Sequence, residues 1–302
     1  MAERVTFKRR EFVIAAGLLL ASCAAPIAQR AALFRSDRLT VATRGQGPDV
    51  ILVPGLGSSP EVWDAMVRKV PGYRYHLVHI NGFAGRPAEG NADGMIIASA
   101  AEEIARYIRV AGLQRPAVIG HSMGGTVALG LAARHDLVSK VMVVDMLPFL
   151  GVLFGPPGTT AESVRPAADT LRDQSLAATP EDRQRTVEAS IATMIINEAH
   201  RPMAVRHALS SDRAITARAL HELILTDLRP EIARIKVPVS VLYVKTPNVP
   251  LTAEQFDALY RSSFAPVPQA ELKRIPSSYH FIMFDQPDRF AGEVREFLTR
   301  RQ

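Results

Sequence analysis

Residues 117–125 read AVIGHSMGG, which indicates a strand, a tight turn and a helix in immediate succession. The apolar start is typical of a strand buried on both faces, and an alanine-rich helical segment follows over residues 126–134. Between them, Gly120, Ser122 and Gly124 fit the pattern G-x-S-x-G. A strained turn of this kind lifts the serine hydroxyl clear of the sheet, and close backbone approach leaves room only for glycine on either side.

The same alternation of short apolar runs and helical segments extends over most of the chain. The predicted strands are residues 39–43, 50–53, 75–80, 117–119, 141–144, 237–244 and 270–275. One predicted helix begins after Ser59, and four more cover residues 94–111, 126–134, 252–262 and 287–300. Strands that alternate with helices imply a parallel sheet with both faces covered. We therefore predict an α/β fold with a mostly parallel, doubly wound sheet.

One segment breaks this alternation. Residues 148–230 contain no strand pattern; they open on an apolar, turn-rich stretch and continue as helix-forming segments. The simplest account is a helical cap inserted into the sheet domain. The predicted organisation is a signal peptide at 1–23, a tether at 24–38, the first part of the core at 39–147, the cap at 148–230 and the second part of the core at 231–302.

Composition excludes several classes of protein. The chain has 302 residues, of which 47% are hydrophobic and 22% charged, and this argues against a disordered, collagen-like or multi-span membrane protein. A single cysteine excludes an intramolecular disulfide framework and a cysteine-based zinc site, and we predict no metal site. No basic stripe with interleaved aromatic residues is present, so we do not expect a nucleic acid partner.

The N-terminal segment has the order of an export signal. The basic cluster Lys8-Arg9-Arg10 precedes an apolar run over residues 12–21 that is too short to span a bilayer. Arg9 and Arg10 resemble a twin-arginine signal, and Leu20-Ala21-Ser22-Cys23 resembles a bacterial lipobox with Cys23 as the lipid attachment point. We therefore expect an exported protein, periplasmic or extracellular, with a lipid anchor in a bacterial membrane. Removing residues 1–23 lowers the net charge from +6 to +4.

A serine hydroxyl needs a base before it can act as a nucleophile, and His280 is the best candidate. It is the one histidine after Ser122 that lies in a loop between the last predicted strand and the last predicted helix. His200, His207 and His221 lie in the predicted cap, where surface or packing roles are expected.

The acid that would orient His280 is less evident, because residues 245–250 (KTPNVP) follow the first strand after the cap without a carboxylate. We favour Asp145, which ends the strand after the nucleophile helix and preserves the chain order serine, acid, histidine. Asn248 is the alternative, as a neutral orienter, and Asp257 and Glu254 rank behind it.

An oxyanion hole needs two N–H donors. We expect one from Met123, which follows the nucleophile, and the second from Leu56, in the loop Pro54-Gly55-Leu56-Gly57 after the first buried strand.

Four segments together resemble the α/β-hydrolase superfamily: VPGLGSSPEVW (53–63), NGFAGRPA (81–88), GHSMGG (120–125) and SYHFIMFDQP (278–287). The resemblance implies a serine esterase that hydrolyses a small-molecule carboxylic ester through an acyl-enzyme, without a cofactor. A thioesterase, lactonase, amidase or carbon–carbon hydrolase with the same residues is an alternative, and a non-catalytic ligand-binding lipoprotein is another. Apolar residues that follow Asp145, from Phe149 to Phe154, favour an apolar substrate group.

Overall fold

The computed structural model describes residues 1, 31, 33–247 and 249–300. The predicted export signal, with Arg9, Arg10 and Cys23, lies outside the described residues, and so does Asn248. In the described part of the chain, no helix is long and apolar enough to cross a membrane.

Seven strands form one sheet in the order β1-β3-β2-β4-β5-β6-β7. Only β1 runs antiparallel to its neighbour; every other adjacent pair is parallel. The strands are β1 Leu39–Arg44, β2 Asp49–Val53, β3 Arg74–Ile80, β4 Ala117–His121, β5 Lys140–Val144, β6 Val239–Tyr243 and β7 Ala270–Arg274. The predicted mostly parallel, doubly wound sheet is confirmed.

Helices cover both faces of the sheet. The α-helices are α1 Asp64–Lys69, α2 Ile97–Ala111, α3 Met123–Arg134, α4 Ala161–Ala177, α5 Pro180–Met194, α6 Arg201–Ser210, α7 Arg213–Leu225, α8 Arg229–Ile232, α9 Ala253–Phe264, α10 Ile282–Asp285 and α11 Pro287–Thr299. Successive residues of a strand point to opposite faces, so Ile51 packs into the core under α2 and α3 while Leu52 packs towards α1 and α11. The central strands are therefore apolar throughout.

All the elements between β5 and β6 are helical. This segment opens with a 3₁₀ turn at Leu150–Phe154 and continues through α4 to α8. Side-chain caps define its helix starts: Thr160 begins α4 and Asp212 begins α7, each accepting a backbone N–H of the first turn. The segment lies over the end of the sheet where Ser122 is found, because α5, α6 and α7 line the same cavity as that serine.

Residues 33–38, which precede β1, pack on the domain. Phe34 is buried and packs edge-on against Tyr107 of α2, with ring centroids 5.1 Å apart. The guanidinium of Arg106 covers the same phenyl ring at 4.4 Å. A single large apolar side chain is enough to fasten residues 33–38 to the domain, because its burial removes that surface from water.

Candidate active site

Ser122 lies at the sharp turn between β4 and α3. Its backbone adopts φ 52° and ψ −125°, a conformation that residues other than glycine rarely occupy. Hydrogen bonds hold this turn from both sides: Ser122 N–H donates to Val144 O at 2.9 Å, and Gly125 N–H donates to Ser122 O at 2.7 Å. Such strain persists only where the surroundings over-determine it, and it is concentrated at functional sites.

The two glycines of the motif are required by the close approach of backbone segments. A Cβ atom on Gly120 would lie 2.1 Å from Gly124 O, and one on Gly124 would lie 2.2 Å from Val53 O. Both neighbours are backbone carbonyls that cannot rotate away. The motif thus packs α3 directly against the ends of β2 and β4.

His280 and Asp145 are hydrogen-bonded to each other. His280 Nδ1 lies 2.6 Å from Asp145 Oδ2, although 135 residues separate them in the chain. The second carboxylate oxygen, Oδ1, accepts the N–H of Val244 at 2.9 Å and lies 3.5 Å from the hydroxyl of Tyr260. Asp145 itself has a positive φ of 54°. The carboxylate is therefore held from two directions and directed at the imidazole.

The other two candidate acids in the described part of the chain are placed elsewhere. Asp257 accepts hydrogen bonds from the hydroxyl of Tyr243 at 2.9 Å and from Arg274 at 2.8 Å. Glu254 is exposed in the first turn of α9, where a hydrogen bond to its own backbone N–H lowers the pKa of its carboxyl. Neither carboxylate is hydrogen-bonded to His280.

Ser122 and His280 line one cavity. No hydrogen bond joins their side chains within the described residues. Catalytic hydrogen bonds of this kind are often long in the free enzyme and tighten when substrate binds. The arrangement supplies a hydroxyl, an imidazole and a carboxylate in the spatial order that nucleophilic catalysis requires.

The two predicted oxyanion donors lie on either side of the serine. Met123 is the first residue of α3, so its N–H has no acceptor within the helix. Leu56 is in a tight turn in which Ser58 N–H donates to Gly55 O at 3.1 Å, and a Cβ atom on Gly55 would lie 3.1 Å from Ser122 Cβ. Within the described residues, no hydrogen bond uses the N–H of Leu56.

His121 lies between His280 and the loop that carries Gly55. Its imidazole is completely buried, and Nε2–H donates to the carbonyl oxygen of His280 at 3.1 Å. Burial, reinforced by the nearby His280, keeps the pKa of His121 well below its usual range, so this ring is neutral. A Cβ atom on Gly55 would lie 3.1 Å from its other nitrogen, Nδ1.

The cavity above these residues has a volume of about 340 Å³. Among the described residues that line it, none is lysine or arginine. Its apolar wall comes from both the core and the helical segment: Leu56, Met146, Leu147, Leu150, Leu153, Ile191, Met194, Leu220, Leu223, Val244, Val249, Phe256 and Phe281. Burial, with Asp145 nearby, also raises the pKa of Tyr260 well above its usual range, so its hydroxyl is neutral.

A second cavity, of about 670 Å³, lies against the opposite face of α7. It is larger and more polar. Arg134 in it is paired with Glu231, and Arg172 and His221 are paired with Asp169. Arg218 donates to the backbone carbonyls of Asn91 and Ala92. The cavity contains no serine, and its histidine is held by the Asp169 carboxylate. We therefore place the chemistry in the smaller cavity.

Three contributors to this site are not evident from the sequence: Tyr260, the buried His121 and the backbone N–H of Val244. His121 stands inside the motif, and a polar residue at the end of a strand buried on both faces is a signal that could have identified it. The N–H of Val244 has no side-chain signal. The cap histidines differ among themselves: His200 stacks on Phe284 at 4.6 Å, whereas His207 is buried.

Known proteins share this architecture. Over residues 50–293 the chain matches the model of the alpha/beta hydrolase family. A pimeloyl-[acyl-carrier protein] methyl ester esterase from Vibrio atlanticus is 28% identical over 278 residues, covering 88% of this chain and 100% of that protein. The protein of the same name from Aeromonas hydrophila is 27% identical, covering 79% and 96%.

Solved structures agree on the fold. The esterase EaEST from Exiguobacterium antarcticum superposes with a TM-score of 0.73 at 20% identity, covering 87% of this chain and 96% of that one. The enol-lactonase from Burkholderia xenovorans superposes with a TM-score of 0.68 at 19% identity, covering 87% and 96%. The sheet order, the strained serine turn and the family match lead to one conclusion: this chain belongs to the alpha/beta hydrolase family.

Proposed function

We propose that this protein is a serine hydrolase that cleaves the carboxylic ester of an apolar group through an acyl-enzyme. The observation that carries the proposal is the 2.6 Å contact between His280 Nδ1 and Asp145 Oδ2 beside the cavity that holds Ser122. An imidazole held in this way exposes Nε2 as a base, because the proton on Nδ1 is fixed by the carboxylate. The esterase relatives support the same reaction class.

Each residue then has one role. His280 removes the proton of Ser122 as its oxygen attacks the ester carbonyl, and Asp145 stabilises the imidazolium that forms. The N–H groups of Leu56 and Met123 hold the oxyanion, His280 returns the proton to the leaving alcohol, and an acyl-enzyme remains. Water, activated by the same imidazole, releases the acid and restores the serine.

The cavity restricts the substrate to an uncharged group. A carboxylate buried in it would find no cation among the described lining residues, and burial of an unpaired charge is costly. The volume of about 340 Å³ is near the lower end of small-molecule sites. The relatives are named for the methyl ester of a pimeloyl chain on an acyl-carrier protein, and the methyl-ester end of such a chain is neutral.

The nucleophile is tested by labelling the purified protein with a fluorophosphonate probe and hydrolysing p-nitrophenyl butyrate. We expect stoichiometric labelling and turnover, both abolished in Ser122→Ala and both retained in Ser262→Ala, a control at an exposed serine of α9 that does not line the cavity. If the wild type neither labels nor turns over, the non-catalytic ligand-binding alternative replaces the proposal.

The substrate class is tested with a matched pair, dimethyl suberate and monomethyl suberate, which share a chain length but differ by one charge. We expect kcat/KM to be at least about tenfold higher for the neutral diester, because the penalty for burying an unpaired ion is several kcal/mol. Equal values would contradict the charge argument. Thioester, lactone, amide and carbon–carbon substrates measured in parallel identify the preferred bond.

We also propose that the protein is exported and anchored through Cys23, on the order of the basic cluster, apolar run and cysteine in residues 1–23. Detergent-phase partitioning of wild type and Cys23→Ala tests the anchor, and cell fractionation of an Arg9-Arg10→Lys-Lys variant tests the route. Equal partitioning of the first pair excludes lipidation, and unimpaired export of the double-lysine variant excludes the twin-arginine route.

A further inference from the structure

The loop that carries Leu56 is held by side chains from the helical segment. Ser211, just beyond the end of α6, is 3% exposed and lies against Gly57. Its hydroxyl accepts the N–H of Ala84 at 2.8 Å and shares its single hydrogen between His207 O at 2.7 Å and Gly57 O at 3.2 Å. One hydroxyl therefore joins three backbone segments that are distant in sequence.

A second contact holds the other end of the same loop. His207 is buried, and its Nε2 lies 3.2 Å from Ser59 Oγ and 2.9 Å from Glu61 Oε2. Ser59 is also the N-cap of the 3₁₀ turn Pro60–Trp63, since its hydroxyl accepts the N–H of Glu61. The loop is thus attached to α6 at both Gly57 and Ser59.

The geometry of the turn makes these contacts relevant to Leu56. Gly57 has a φ of +64°, a conformation that glycine adopts readily. Because glycine adopts other conformations just as readily, the loop needs contacts from outside to hold this one. The bond from Ser58 N–H to Gly55 O sets the plane of the peptide between Gly55 and Leu56. Because C=O and N–H of a trans peptide point in opposite directions, the Leu56 N–H is directed out of the turn.

We propose that Ser211 is a positioning residue that fixes the oxyanion donor Leu56 through Gly57, an inference that rests on the proposed function. Removal of its hydroxyl would leave Gly57 O and Ala84 N–H without this partner in a buried place, and the loop would relax to satisfy them. A displacement of about 1 Å at such a donor weakens transition-state stabilisation, whereas most of the apolar wall comes from other segments and stays in place.

The test compares Ser211→Ala with Ser210→Ala, since the neighbouring serine is exposed and its hydroxyl bonds only within its own helix. For Ser211→Ala we expect kcat on p-nitrophenyl butyrate to fall between about tenfold and a hundredfold, with KM within roughly twofold. The preference for this ester over its thiono analogue should also fall, because a sulfur anion gains little from the oxyanion hole. Ser210→Ala should match the wild type.

An unchanged kcat, a change confined to KM, or an unchanged oxo-to-thiono ratio in Ser211→Ala overturns the proposal. If that variant does not fold, Ser211→Cys, which keeps a weaker donor, must show a smaller loss of the same kind, and a wild-type kcat in it is equally refuting. Failure of the wild type to hydrolyse any ester would instead refute the proposed function.

Discussion

Replacement of Asp145 by asparagine should disable the base without disturbing the fold. The substitution keeps the size of the side chain, and its amide must satisfy two neighbours. Val244 N–H needs an acceptor, which is now Oδ1 at 2.9 Å. The asparagine oxygen will take that place, so the NH₂ group faces His280 Nδ1, where the carboxylate oxygen now lies at 2.6 Å.

An NH₂ group beside Nδ1 reverses the tautomer of the imidazole. Nδ1 becomes an acceptor, the proton moves to Nε2, and Nε2 can no longer accept the proton of Ser122. The same substitution in a Ser-His-Asp triad lowers kcat by about 10⁴-fold, which corresponds to about 5.4 kcal/mol of transition-state stabilisation. We expect a loss of this size, because the buried Val244 N–H prevents the amide from flipping.

The assay is steady-state hydrolysis of p-nitrophenyl butyrate together with thermal unfolding of each variant. Asp257→Asn is the matched control, since that carboxylate bonds to Tyr243 and Arg274 instead, and Asn248→Ala tests the alternative orienter. A loss smaller than about tenfold in Asp145→Asn, with a native melting temperature, would refute the role we assign to Asp145.

Three further outcomes follow from the geometry. Gly124→Ala should lower the free energy of unfolding, measured in urea, by about 1–3 kcal/mol or more, because the new Cβ meets a backbone carbonyl at 2.2 Å. Gly292→Ala is the control: it has open space around it and should leave the free energy of unfolding unchanged or raise it. Burial lowers the pKa of His79 from 6.5 to about 4, so the unfolded chain binds more protons between these values. The free energy of unfolding should therefore fall as pH drops through that window, and urea unfolding of His79→Gln should show a flatter pH dependence. Tyr260→Phe should reduce kcat less than about tenfold, because its hydroxyl lies 3.5 Å from Asp145, at the limit of a hydrogen bond; a larger loss would mean that this contact is stronger.

The elements that the sequence predicts well are those whose burial does not depend on distant partners. The wholly apolar runs at residues 50–53 and 141–144 are typical of strands covered on both faces, and both are such strands. Residues 97–111 place apolar side chains at helical spacing, and the helix ends at Gly112 in the left-handed conformation. The turn at Ser122 is equally local, because two glycines and a serine specify it.

Features that depend on register between distant segments were harder to predict. The sequence indicates that residues 148–230 are helical, but it does not indicate which of these helices faces the cavity. A helix that packs on the core and a helix that lines the cavity both need apolar side chains, so their patterns look alike. The buried His207 illustrates this: in the sequence it is one of several cap histidines, and only the packing of α6 on the oxyanion loop distinguishes it. The choice among carboxylates likewise required the positions of strand ends.

Those strand ends explain why no carboxylate is needed after β6. Strands β5 and β6 pair in parallel with Val144 opposite Leu242, so their carboxyl ends lie side by side, about 4.8 Å apart. The side chain of Asp145, which follows β5, can therefore reach the position that a carboxylate following β6 would occupy. The positive φ of Asp145 directs its side chain towards β6. The end of β6 then supplies a backbone N–H, from Val244, that holds the carboxylate in place. The KTPNVP stretch is consequently no evidence against the proposed function, because the carboxylate bonded to His280 follows β5 and is held by a backbone N–H at the end of β6.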